Sequence, residues 1–172
     1  MIKYNNYDFQ KFYEKYSKLE AINLLELMIK KVFHKKIAVT SSFGAESVVI
    51  LDLISKVDRN TPIIFLDTKK LFPETLNYLK KIKTLLKLKN IKIKKPDFND
   101  LKSNDPNGNL YKTDPELCCK IRKVIPLDKA LEPYDAWING RKRFHGLDRS
   151  KVKKIEKFNR FVKINPLADW SF

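Results

Sequence analysis

Cysteine is nearly absent from this 172-residue sequence; there are two, Cys118 and Cys119, and they are neighbours. A disulfide between adjacent residues is strained and uncommon, so the pair argues against a disulfide-stapled secreted scaffold and reads as reduced thiols, available as metal ligands. Long apolar runs are absent too. No stretch of about 18 hydrophobic residues occurs, so no membrane-spanning helix is expected. The N-terminus, Met1 to Asp8, lacks the charged, apolar and small-residue regions of a signal peptide, which makes a cytoplasmic location the default expectation. Acidic residues are outnumbered, 20 against 36 basic ones, leaving a formal net charge of +16. Such a charge attracts anions without choosing among nucleic acids, acidic lipids and phosphorylated small molecules. Only 6 of the basic residues are arginine and 30 are lysine, spread along the whole chain beside plentiful Ile and Asn. That distribution reads as a drift of composition, whereas nucleic-acid binding needs a basic face with base-contacting or stacking groups. What remains is a length suited to one domain, residues 1–172, and a hydrophobic content of 43% from which to build its core.

Periodicity predicts the order of elements. Leu24, Leu25, Met28, Ile29, Val32 and Phe33 recur at helical spacing within 20–33. Residues 36–41 read as a short buried strand, 42–45 as a turn, and Glu46 to Val57 as a second helix. Asn60-Thr61-Pro62 breaks it, and 63–66 form another apolar strand ending at Asp67-Thr68. Pro73 opens a helix carrying Leu76, Leu79, Ile82, Leu85 and Leu86 on one face, and 91–93 is a third strand. Strand and helix in alternation mean a parallel sheet with right-handed crossovers, and ligands in such sheets bind beyond the carboxyl ends of the strands. Further on, 103–109 reads as a polar turn or mobile loop. Asp114-Pro115 reads as a helix cap that puts the two cysteines in the first turns of a short helix, and 136–139 reads as a strand. Residues 141–149 form a basic loop, and 160–164 a last short strand.

Four segments carry candidate chemistry. Ser41 to Ser47 joins a strand to a helix through small residues, an arrangement able to offer N–H groups and hydroxyls to a phosphate; an ordinary serine-capped turn would explain it equally well alone. Asp67 and Thr68, at a strand end, can contact a ribose or a phosphate. Cys118 and Cys119, with Arg122 and Lys123 close behind, make a candidate iron-binding pair. Arg141, Arg143 and Arg149 follow Gly140, and clustered guanidinium groups suit phosphate or sulfate oxygens. Each of these also has a structural explanation as a strand end, a pair of small core residues or a solvated loop.

Together and in this order, the segments resemble the adenylyl-sulfate and phosphoadenylyl-sulfate (APS/PAPS) reductase family. The resemblance runs from about Val39 to Trp170. It rests on Ser42-Phe43-Gly44-Ala45-Glu46, Leu71-Phe72-Pro73-Glu74-Thr75, Cys118-Cys119-Lys120-Ile121-Arg122-Lys123-Val124, Gly140-Arg141-Lys142-Arg143-Phe144, and the segment Lys163 to Trp170. It implies a three-layer, doubly wound α/β fold of PP-loop type with a mostly parallel sheet. It further implies reduction of an activated sulfate nucleotide to sulfite, with thioredoxin or glutaredoxin as electron donor, and it leaves a homo-oligomer open. Ser42, Gly44, Ala45 and Glu46 match the family's nucleotide loop, and Leu66, Asp67 and Thr68 the second strand end. Lys123, Arg143 and Arg149 match residues that bind the substrate anion. Cys118 and Cys119 match two of the four ligands of a 4Fe–4S cluster; that pair marks the branch using APS.

Three departures from the family pattern stand out. Lys69 occupies a position where the family has Gly, which adds strain if the backbone there is left-handed. Asn139 stands where the family usually has Thr. A later Cys-x-x-Cys and a terminal Cys-Gly-x-His, which include the nucleophile, do not occur in these residues, so the 172-residue chain is expected to be an incomplete, inactive reductase. The competing readings are another PP-loop ATP-dependent enzyme, such as a sulfate adenylyltransferase or thiolation enzyme, and a non-catalytic nucleotide-binding remnant. The paired glycines and Asp of the ATP pyrophosphatases are missing, and Phe43 and Glu46 are expected to crowd a triphosphate.

Overall fold

The computed structural model describes residues 6–44, 47–146 and 149–171. Helix α1 (Asn6–Tyr16) precedes α2 (Ala21–Leu27), whose Leu24 and Leu25 are fully buried, as is Met28 just beyond it. Burying each such side chain contributes about 1.5–3 kcal/mol. The helix runs on through a π turn, Met28–Val32, closed by the Phe33 N–H on the Met28 carbonyl at 2.9 Å. Then come β1 (Ile37–Thr40), α3 (Ser47–Val57), β2 (Ile63–Leu66), α4 (Pro73–Leu85) and β3 (Ile91–Lys94). In α4 only Leu79 and Ile82 are buried, while Leu76 and Leu85 are exposed, so the buried stripe is narrower than the periodicity predicts.

The next crossover contains α5 (Phe98–Asn104), α6 (Leu110–Thr113), α7 (Pro115–Cys119), a π turn (Lys120–Val124) and α8 (Ile125–Leu131). It leads to β4 (Ala136–Ile138), a 3-10 turn (Arg143–His145) and the hairpin of β5 (Ile155–Phe158) and β6 (Phe161–Ile164). The strands lie in the order β3-β2-β1-β4-β6-β5; all pair in parallel except β5 with β6. Chain direction across the sheet reverses between β1 and β4.

Side-chain alternation splits the core in two. Ile37, Val39, Ile63, Phe65, Ala136, Ile138, Val162 and Ile164 face α2, α3 and α4, whereas Ala38, Ile64 and Phe161 face Ala130 and Leu131 of α8. Helices on both faces of a mostly parallel sheet make the three-layer, doubly wound α/β fold expected of the sequence. Gly140, just past β4, is where α3 comes closest: a Cβ there would sit 3.3 Å from Ile50 Cγ2.

Helices α1, α5, α6 and α8 and strand β5 are not anticipated by the sequence reading. Strand β5 reaches the sheet by a tight turn in which Asn159 has φ 52, so Phe158 opposes Phe161. The 103–109 segment also differs from the expected polar loop, because Asp105 is buried and paired inside the protein.

Candidate functional site

The first segment is folded by its own serines. Ser41 Oγ accepts the Phe43 N–H at 3.1 Å and Ser42 Oγ accepts the Gly44 N–H at 3.3 Å, while the Ser42 and Ser47 hydroxyls lie 3.2 Å apart. Phe43 takes a left-handed φ of 54 and turns into the core, edge-on to Phe65 with centroids 5.5 Å apart. It is buried there, so the expectation that it crowds the loop is corrected: its ring serves as the anchor that makes the chain turn. Ala45 and Glu46 lie outside the described residues.

After β2 the chain folds by similar local bonds. Asp67 Oδ1 accepts the Lys69 N–H at 3.0 Å and Thr68 Oγ1 accepts the Lys70 N–H at 3.3 Å. Lys69 has φ 62, the left-handed conformation that glycine adopts without cost. Its ammonium lies 3.9 Å from Asp67.

The cysteines sit where the sequence places them. Asp114 Oδ1 accepts the Leu117 N–H at 2.9 Å, Pro115 fills the first turn, and α7 ends at Cys119. The widened turn that follows has a local cause. Pro126 has no N–H, and its ring would collide with the Arg122 carbonyl in a regular helix; the π turn, closed by the Ile125 N–H on the Lys120 carbonyl, relieves both. Arg122 is thereby directed inward. Its guanidinium donates to the Thr68 carbonyl at 2.8 Å and is paired with the buried Asp105 carboxylate. Asp105 also accepts the Leu110 N–H at 2.9 Å. The hydrogen bond from Arg122, then that from Leu110, holds the Asp105 carboxyl below its ordinary range. One strut thus ties the β2 exit, the 105–110 segment and the cysteine helix together, and Lys70 reinforces it by donating to the Gly108 carbonyl at 2.7 Å. Sequence reasoning named neither Asp105 nor Arg122 as a site residue; their signal is a polar loop followed by an arginine, which local pattern does not connect.

Two cavities meet at this strut. One, of about 360 Å³, opens at the carboxyl ends of β1 and β2 and is lined by Ser41, Ser42, Leu66, Thr68, Lys123 and neighbours. The second, of about 610 Å³, is lined by Cys118, Cys119, Arg122, Lys70, Tyr111, Phe72 and neighbours. Thr68, Leu71 and Lys123 line both, so the exposed Lys123 stands on the partition. Cys118 is buried and Cys119 exposed. Among the described residues no group of three or more His, Cys, Asp or Glu side chains could hold a metal ion. The two cysteines on their own offer two thiols and no further ligand among the described residues.

The remaining expected residues lie apart from these walls. Asp67 and Gly44 flank the first cavity without lining it. Arg143 is paired with Asp169, which also binds Lys154 at 3.0 Å, and Arg143 reaches the Val152 carbonyl at 3.4 Å. Arg149 is exposed on the turn beyond Gly146. Neither arginine lines either cavity.

The chain is similar to known proteins. A family model described as the phosphoadenosine phosphosulfate reductase domain matches residues 36–172. The adenosine 5'-phosphosulfate reductase of Mesorhizobium japonicum is 41% identical over 156 residues, covering 91% of this chain and 61% of that protein. The protein of the same name from Oceanobacillus iheyensis is 41% identical over 145 residues, 83% of this chain and 60% of its own length. The chain thus spans roughly three fifths of these curated relatives. Among solved structures, phosphoadenylyl-sulfate reductase from Candida auris in a phosphate complex superposes with a TM-score of 0.79 at 24% identity, over 99% of this chain and 83% of that one. That likeness is one of fold.

Proposed function

This chain belongs to the phosphoadenosine phosphosulfate reductase domain family, and from that premise we propose that its cleft binds adenylyl sulfate and serves the reduction of that nucleotide to sulfite. The observation carrying this reading is the pair of adjoining cavities that share Thr68, Leu71 and Lys123. The first cavity suits the nucleotide, with the Ser41-Ser42 loop toward its phosphate. The sulfate end then points across the partition toward the cysteines, and Lys123 is the cation placed to meet it. The relatives being adenosine 5'-phosphosulfate reductases, together with the adjacent cysteines, favours adenylyl sulfate over its 3'-phosphorylated form.

In this reduction a thiolate attacks the sulfuryl sulfur and the bond from sulfur to the nucleotide oxygen breaks. The nucleotide leaves with that electron pair, and the sulfuryl group stays on the thiol. A dithiol donor such as thioredoxin or glutaredoxin then supplies two electrons, becomes a disulfide and releases sulfite. A cation on the departing oxygens lowers the barrier by neutralising developing charge. Lys123 would do this, while Arg122, held by Asp105, keeps its helix in place. Cys118 and Cys119 would supply two of the thiolate ligands of a 4Fe–4S cluster, an assembly that is net negative with four thiolates and would supply iron–sulfur redox chemistry when bound. Its other two ligands and the attacking thiol have to be further cysteines, since these 172 residues contain only two. Arg143 and Arg149 would join the anion site only after Arg143 exchanges Asp169 for substrate.

Calorimetric titration of the 172-residue chain with adenylyl sulfate, its 3'-phosphorylated form, AMP and Mg·ATP tests the reading. We expect adenylyl sulfate to bind most tightly, without sulfite release on adding reduced thioredoxin. Preferential binding of Mg·ATP with release of pyrophosphate would replace the reading with an ATP-dependent PP-loop activity.

A further inference from the structure

At the opposite end of the sheet, at the amino ends of β1, β2 and β3, lies a third cavity of about 440 Å³ that the proposed reaction does not use. Its size falls in the range of small-molecule sites. Apolar walls come from Ile29, Ile37, Pro62 and Pro133, and the buried Tyr134 ring closes one side. Charged groups of both signs border it: Lys35, Lys92 and Asp58.

Among the described residues none of these charges has an ion-pair partner. Lys92 Nζ donates to the Tyr134 hydroxyl at 2.8 Å and lies 5.4 Å from the ring centroid, both uncharged partners. Lys35, held at a left-handed φ of 59, makes no ion pair among the described residues. Asp58 Oδ1 accepts the Asn60 backbone N–H at 2.8 Å and its side-chain amide at 3.0 Å, while Oδ2 has no donor among the described residues. The Asp58 bonds are those of a local turn and leave its second oxygen available to a ligand in the cavity. Thr61, only 2% exposed and also part of the wall, has a hydroxyl with no hydrogen-bond partner. Buried polar groups are normally satisfied, so this hydroxyl has capacity for one more partner, a water or a ligand group.

We propose that this cavity binds a small zwitterion of the α-amino-acid type, its ammonium on Asp58, its carboxylate on Lys35 and Lys92, and its side chain between the two prolines and Tyr134. A simple anion would leave the Asp58 oxygen facing a like charge, and a simple cation would face two lysines; a ligand carrying both signs satisfies all three groups. The site is independent of the nucleotide cleft, which lies at the other ends of the same strands, so it stands or falls apart from the proposed reductase reading.

The test is calorimetry and backbone-amide NMR on the 172-residue chain, using the twenty standard amino acids, their N-acetyl and carboxamide derivatives, and inorganic phosphate. At least one free amino acid is expected to bind one to one, shifting the Thr61 and Tyr134 resonances. Blocking either end of that ligand should weaken it about tenfold or more, the size of losing a charge-assisted hydrogen bond. Asp58→Asn keeps an oxygen for the Asn60 N–H and should stay folded, as its unliganded melting temperature will report; Lys92→Met probes the carboxylate end should Asp58→Asn be destabilised. Each variant is expected to bind about tenfold more weakly while adenylyl sulfate titrations stay unchanged. The proposal is overturned if no free amino acid binds at about 10 mM, a bound far weaker than metabolite sites usually show. It is also overturned if both variants bind as the parent does, or if inorganic phosphate alone occupies the cavity.

Discussion

Lys123→Met is the sharpest perturbation of the proposed cleft. Methionine keeps an unbranched stem against both cavities and removes only the ammonium. Lys123 lies on the partition between the first cavity and the cysteines, so its charge should act on the sulfuryl end of the ligand and much less on the adenosine end. A hydrogen bond to a charged group contributes about 1.5–3 kcal/mol. Because Lys123 is exposed, solvent screens it and the lower figure applies, giving about a tenfold loss of adenylyl sulfate affinity. AMP lacks the sulfuryl group and should lose about threefold or less on the same reasoning. Calorimetry on parent and variant with both ligands completes a thermodynamic cycle whose coupling is the quantity of interest. Equal losses for the two ligands would mean that Lys123 contacts the nucleotide phosphate or acts through the fold. No loss for either would remove it from the site and with it the orientation proposed for the substrate.

Three further outcomes follow from the geometry. Asp105 has its carboxyl lowered by Arg122, so its contribution to stability is complete above the unfolded-state value near 4 and lost as pH falls through the lower folded value; urea midpoints of the parent and Asp105→Asn should therefore differ at neutral pH and converge below about pH 4, whereas a constant gap would refute the pairing. Lys69→Gly relieves the left-handed backbone and should raise stability by up to about 1 kcal/mol after allowing for glycine's unfolded-state freedom; a fall of more than that in chemical denaturation would show that the side chain matters more than the strain. Cys119, exposed, should react with a bulky maleimide well before the buried Cys118, as peptide mass mapping after short labelling would reveal. Equal rates would mean that the helix opens readily.

The sequence alone determined the repeating pattern of the fold and the roster of chemistry. Short apolar runs at β1, β2 and β3, helical periods between them, the Asp114-Pro115 start of α7 and the adjacent cysteines are all local features, because a strand or a capped turn is specified by neighbours within a few residues. Elements held by distant contacts were not legible. Strand β5 exists because Phe158 meets Phe161 across a turn at Asn159, and α1 because Phe12 packs on Phe33, neither of which periodicity signals strongly. Only tertiary structure decided that Phe43 turns away from the loop it belongs to, and that Arg143 is occupied by Asp169. The same holds for the strut in which Arg122 reaches Asp105 and Thr68, residues 17 and 54 positions away along the chain. Such contacts depend on where the sheet carries each segment in space, and the strut they form sets Lys123 between the first cavity and the cysteines.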